Sequence, residues 1–254
     1  TELAQTIRQE MNLLATEFPE SIAYDISLDS TTAIDAGIRD IVVTLIVALI
    51  LVVFVVFIFI QDWRATLIPT LAIPVSLIGA FIFFPALGFT INVLSLLGLV
   101  LAIGIVVDDA IVVVEAVQVN IAKGMSTKEA TLDAMRKVTA PVIATTLVLV
   151  AVFIPVAGMA GITGLLYQQF AITIVVSVLV SSVNALTLSP ALCSLLLKEP
   201  KVYKGPLGWV FAKFNRGMDK TTDSYMSFTN IVGRKLKRSV IFILLMTFGA
   251  GIFG

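Results

Sequence analysis

Long uncharged runs organise this chain. Residues 41–60 (IVVTLIVALILVVFVVFIFI) carry no charge, and a bilayer core takes about 20 apolar residues per helix. They predict a first membrane helix. From Ala65 to Val107 no residue is charged, which is too long for one crossing. Pro85-Ala-Leu-Gly88 interrupts that run and splits it into helices near 67–84 and 92–115. A third uncharged stretch, Val138 to Leu197, is divided by Gly158-Met-Ala-Gly161-Ile-Thr-Gly164 into helices near 140–157 and 167–196. A last apolar run begins at Ser239 and ends with the chain at Gly254. Its length is marginal for a crossing, so the sixth helix, 239–254, reads as cut off.

The polar pieces between these runs are short. Leu3, Ile7, Leu14 and Phe18 fall near one helical face. Ile22, Tyr24, Ile26 and Leu28 then alternate as a strand would. About forty residues are too few to bury an independent core, so 1–40 reads as the end of an external α/β domain. Ser126-Thr-Lys-Glu129 has capping-box spacing and opens a helix running toward Val138. Around 206–220, Leu207, Val210, Phe211, Phe214 and Met218 share a face opposite Lys213, Arg216 and Lys220, with Trp209 on the polar side. That pattern suits a helix in the membrane interface and equally one packed on the cytoplasmic ends of its own bundle.

Composition agrees. Hydrophobic residues make up 58% of the 254 and charged residues only 13%, about half the usual charged share; mean hydropathy is +1.04. The fold class is an all-α polytopic membrane protein. Fifteen of the seventeen basic residues lie in the turn at Arg64, in the 117–139 loop and in 198–238. Basic loops stay in the cytoplasm, which places 1–40 outside. Basic and acidic residues are equal in number, against a nucleic-acid partner. Histidine is absent and Cys193 is the single cysteine, which excludes histidine catalysis, an internal disulfide and a cysteine metal cluster. No cofactor or metal site is expected.

Scaffolding does not account for Asp108 and Asp109, adjacent within VLSLLGLVLAIGIVVDDAIVVV. They lie roughly 6–8 Å from the middle of that span at 1.5 Å per residue. Inserting one aspartate near the bilayer centre costs roughly 3 kcal/mol, and membrane carboxylates usually face a bundle interior and serve ion or proton pathways. Two such neighbours titrate as a coupled unit, retaining at least one proton unless a cation balances them. No lysine or arginine of this chain lies at that depth, so any cationic partner comes from elsewhere. Gly98, Ala102 and Gly104 admit a close neighbouring helix. Glu115, seven residues after Asp108, shares its face at the cytoplasmic end and could belong to a water path or simply be solvated. Thr145, Thr146, Thr173, Ser177, Ser181, Ser182 and Asn184 give the last two spans polar stripes; such hydroxyls usually bond their own backbone. Catalytic residues are not expected. An intramembrane aspartyl protease brings two carboxylates together from different helices, and here both sit on one helix about 100° apart.

Gly88-Phe-Thr-Ile-Asn92 and the run from Gly98 through Asp108-Asp109 to Glu115, with Asp62-Trp-Arg-Ala-Thr-Leu-Ile-Pro69, Tyr167-Gln-Gln-Phe-Ala-Ile-Thr173 and Leu188-Ser-Pro-Ala-Leu-Cys193, resemble resistance–nodulation–division (RND) efflux pumps of the hydrophobe/amphiphile type. The resemblance implies the second to sixth transmembrane helices of the N-terminal half and the start of the seventh. It makes 1–40 the end of a periplasmic porter subdomain and 41–254 transmembrane domain. It further implies a Gram-negative inner-membrane homotrimer, joined by a periplasmic adaptor to an outer-membrane channel, which exchanges protons for amphiphilic compounds. The proton carriers of that motif map to Asp108 and Asp109, and their lysine partner to a C-terminal half. The alternative is a non-transporting membrane scaffold or sensor with the same fold. The aspartate pair separates the two, since a scaffold has no use for so costly a pair.

Overall fold

The computed structural model describes residues 2–19, 21–198, 205–233, 240 and 247–248. They fall into two units, Thr1–Pro200 and Lys201–Gly254, each described by itself. In the first, α1 (Glu2–Ala15), α2 (Ser30–Ile60), α3 (Trp63–Phe83), α4 (Val93–Ala122), α5 (Thr127–Ala157), α6 (Gly161–Leu186) and α7 (Leu188–Leu196) follow in order, with a 3₁₀ turn at Pro85–Leu87. Among the described residues, five spans are long and apolar enough to cross a bilayer, so this is a multi-pass membrane protein.

Helix α2 begins eleven residues before the uncharged run, because the Asp29 carboxylate caps it by accepting from the Thr31 N–H at 2.9 Å. The absence of charge marks the length in hydrocarbon, whereas the cap marks the helix. Thr31 and the Arg8 guanidinium also hold the Asp29 carboxyl down to about 2, by their hydrogen bonds to it. Residues 21–28 contain no strand, a correction to the alternation in the sequence. A strand needs an edge to pair with, and this segment instead folds back on α1, where the Tyr24 hydroxyl donates to Asn12 and Phe18 meets Tyr24 edge-on at 6.4 Å.

Gln61 in the left-handed region (φ 55°) and the Asp62 cap reverse the chain between α2 and α3 within two residues. Helix α4 starts on a capping box of Asn92 with Ser95 and lies at the centre, packed on α2, α3, α5, α6 and α7. Its turn into α5 is fixed by the buried Asn120, whose amide donates to the Ala130 carbonyl at 3.1 Å and to Asp133 at 3.0 Å. Ser126 then caps α5, its hydroxyl accepting from the Glu129 N–H at 3.4 Å and donating to the Glu129 carboxylate at 2.7 Å, and the helix runs through to Ala157 without a break. The surface helix and the membrane helix of the sequence reading are thus one element. The last span is divided instead. Helix α6 ends at Leu186 and α7 restarts at Leu188, because Pro190 has no N–H for the Leu186 carbonyl and its ring crowds that carbonyl.

In the second unit, α8 runs over Pro206–Gly233, longer than the expected 206–220, with Lys213 lying 5.4 Å over the Trp209 ring. The expected helix over 239–254 lies outside the described residues, apart from three isolated positions.

Candidate functional site

The aspartates divide between two sides of α4. Asp109 points into the seam with α6, where the Ser181 hydroxyl lies 3.1 Å from its Oδ2 and 3.0 Å from the Val106 carbonyl oxygen. Ser181 is buried and Asp109 half-buried. A serine has one proton to donate and lone pairs to accept with. When Asp109 is ionised, Ser181 donates to the carboxylate. When Asp109 is protonated, its O–H donates to Ser181, whose own proton turns to Val106. Both states of the acid are therefore satisfied without moving a helix.

Asp108 lies on the other side. It is exposed, as are Leu101, Gly104, Val112, Glu115 and Val119, three or four residues apart along one stripe of α4. No described helix covers the stripe at Leu101, Gly104 and Asp108, whereas Val112, Glu115 and Val119 border α5. A Cβ added at Gly104 would meet nothing within 4 Å among the described residues. Among the described residues, no lysine or arginine forms an ion pair with either aspartate. Glu115, about 10 Å from Asp108 along the axis, lines an open cavity of about 330 Å³ with Asn120, Lys123 and Lys137.

The other two small residues sit in packed seams. Ala102 is completely buried, and a Cβ at Gly98 would come within 3.1 Å of the Phe170 carbonyl oxygen and 3.3 Å of the Thr173 Cβ. The α4–α6 seam above Ser181 is therefore close. Thr173 and Ser177 are completely buried within α6 and donate to the carbonyls four residues earlier at 2.6 and 2.7 Å. Ser181 departs from this habit. Its place in the i, i+4 series 173, 177, 181 was visible in the sequence, but not that it alone crosses to α4 and reaches an acid. At the other end of the seam, the Asn92 amide donates to Gln169, joining the start of α4 to α6.

A family model described as the AcrB/AcrD/AcrF family matches residues 1–253. The multidrug resistance protein MdtF of Escherichia coli strain K12 is 40% identical over 250 residues, covering 98% of this chain and 24% of MdtF. The solvent-resistant pump membrane transporter SrpB of Pseudomonas putida is 40% identical over 259 residues, with 98% and 24% covered. The multidrug export protein AcrF of Escherichia coli strain K12 is 40% identical over 244 residues, with 95% and 23% covered. The chain thus spans about a quarter of the length of these relatives.

Proposed function

This chain belongs to the AcrB/AcrD/AcrF family, and from that premise we propose that it forms the proton-carrying membrane segment of an inner-membrane antiporter exporting amphiphilic compounds. The observation that carries this reading is the pair Asp108–Asp109 inside a membrane helix, one member served by Ser181 and the other on an open stripe. The Ser181 hydroxyl accommodates both states of Asp109. Asp108, facing lipid, would be unfavourable by roughly 3 kcal/mol, so the stripe through Gly104, Asp108 and Glu115 receives a further helix carrying the balancing cation. In this reading that helix belongs to the C-terminal half, residues 1–40 close a periplasmic porter subdomain, and 41–254 belong to the transmembrane domain. The assembly is a homotrimer working with a periplasmic adaptor and an outer-membrane channel. The names of the relatives support export of drugs and solvents.

The basic distribution puts the α2–α3 and α4–α5 turns in the cytoplasm and α1 in the periplasm. The native cysteine is fully buried, which keeps background labelling low. A membrane-impermeant maleimide applied from outside should label Glu10→Cys and spare Met125→Cys. Labelling of the latter alone would reverse the topology. The function itself is tested in cells stripped of their own pumps. Expression of the native protein with its adaptor and channel should lower accumulation of an amphiphilic dye severalfold, and a protonophore should abolish the difference. Unchanged accumulation at normal abundance would favour a scaffold.

A further inference from the structure

A second polar contact lies one turn along α6 from Ser181. The Asn184 amide donates to the Ser76 hydroxyl of α3 at 2.9 Å, and Ser76 is completely buried. Beside it, α3 and α6 approach so closely that a Cβ at Gly79 would lie 2.7 Å from Val180 Cγ1. Val180 and Asn184 thus face α3, while Ser181, about 60° round from Asn184 at 3.6 residues per turn, faces α4. Helix α6 ends at Leu186, two residues beyond Asn184. Helix α7 restarts at Leu188 and packs on α3, α4, α5 and α6, but the break at Thr187 interrupts the helix between them. Apolar packing sets the distance between helices but constrains rotation about the axis less than a directional hydrogen bond does.

We propose that Ser76 and Asn184 are positioning residues that fix the rotation of α6, so that the Ser181 hydroxyl stays aimed at Asp109. The proposal rests on the proton-carrying reading of Asp109. It also accounts for a polar pair at a place where two apolar side chains would fill the same seam. Asn184 touches neither aspartate and acts only through Ser181.

The test uses the native protein with Ser76→Ala and Asn184→Leu combined, which replaces the bond by apolar packing and lets the bundle fold. Infrared difference spectra identify the Asp109 carboxyl band by its loss in Asp109→Asn, and Ser181→Ala marks where that band lies without the hydroxyl. The paired variant should move the band toward the Ser181→Ala position and lower export roughly three- to tenfold, the weight of one interhelical hydrogen bond. Adding Ser181→Ala to the paired variant should cause no further loss, and Ser76→Thr, which keeps a hydroxyl, should retain the native band and export. A band left at its native position, or losses that multiply when Ser181→Ala is added, would overturn the positioning role. The band reports hydrogen bonding whatever the acid does. Normal export from Asp109→Asn would therefore defeat the proton-carrying reading separately, leaving the position of the band to judge the Ser76–Asn184 pair.

Discussion

Replacing either Asp108 or Asp109 with asparagine should reduce export to the level of cells lacking the protein, with membrane abundance close to native for Asp109→Asn. Asparagine keeps the shape of the side chain and can still accept from Ser181, but it carries no exchangeable acid proton. The two variants should differ in stability. At position 109 the amide finds the Ser181 hydroxyl already in place at 3.1 Å, and losing a buried charge removes its desolvation cost. At position 108 the outcome depends on the cation that the open stripe receives, because removing one partner of a buried pair leaves the other uncompensated, by roughly 3–5 kcal/mol. Asp108→Asn should therefore be the less stable of the two. A purely structural role for the pair predicts the reverse for transport: the amides would substitute and export would survive. Efflux assays beside quantitative blots of membrane fractions distinguish these outcomes.

Gly98→Leu should do to folding what the aspartate variants do to transport. A first side-chain carbon at this position already meets the Phe170 carbonyl oxygen at 3.1 Å and the Thr173 Cβ at 3.3 Å. Helix backbone cannot give way as a flexible side chain can. Overpacking of this kind costs about 1–3 kcal/mol or more, and here it would pry α4 from α6 a few turns above the Asp109–Ser181 contact. Abundance should fall severalfold, and the protein that remains should melt lower in detergent. Gly104→Leu provides the contrast, since among the described residues nothing lies within 4 Å of a Cβ there. Loss of stability in Gly104→Leu would report a neighbouring helix supplied from outside these residues. Native stability in Gly98→Leu would refute the close packing of the seam.

Much of this organisation was legible in the sequence because hydrocarbon length and charge are one-dimensional properties. The uncharged runs and the turn residues Pro85–Gly88 and Gly158–Gly164 locate the crossings. Helix ends depend on other physics. Asp29 capping carries α2 well outside the apolar run, and the Ser126 cap joins two expected helices into α5. Pro190, which cannot donate to Leu186, breaks what composition alone reads as one helix. The alternation at 22–28 failed because periodicity does not supply a strand partner. At the site, the aspartate pair stood out by its cost in a membrane. Ser181 did not, since a serine in a stripe of hydroxyls gains its meaning only when α6 is laid against α4. The same holds for Asn184, whose partner Ser76 lies 108 residues away. The different surroundings of Asp108 and Asp109 also come from packing, as two adjacent identical residues differ only through what surrounds each face.

Proton movement tests the central claim most directly. The purified native protein, reconstituted in liposomes with a pH-sensitive dye inside, is given an amphiphilic substrate and an imposed proton gradient. The account predicts substrate-dependent proton flux from the native protein and none above protein-free liposomes from Asp108→Asn or Asp109→Asn. Substrate-dependent proton flux at the native rate in both asparagine variants would contradict it.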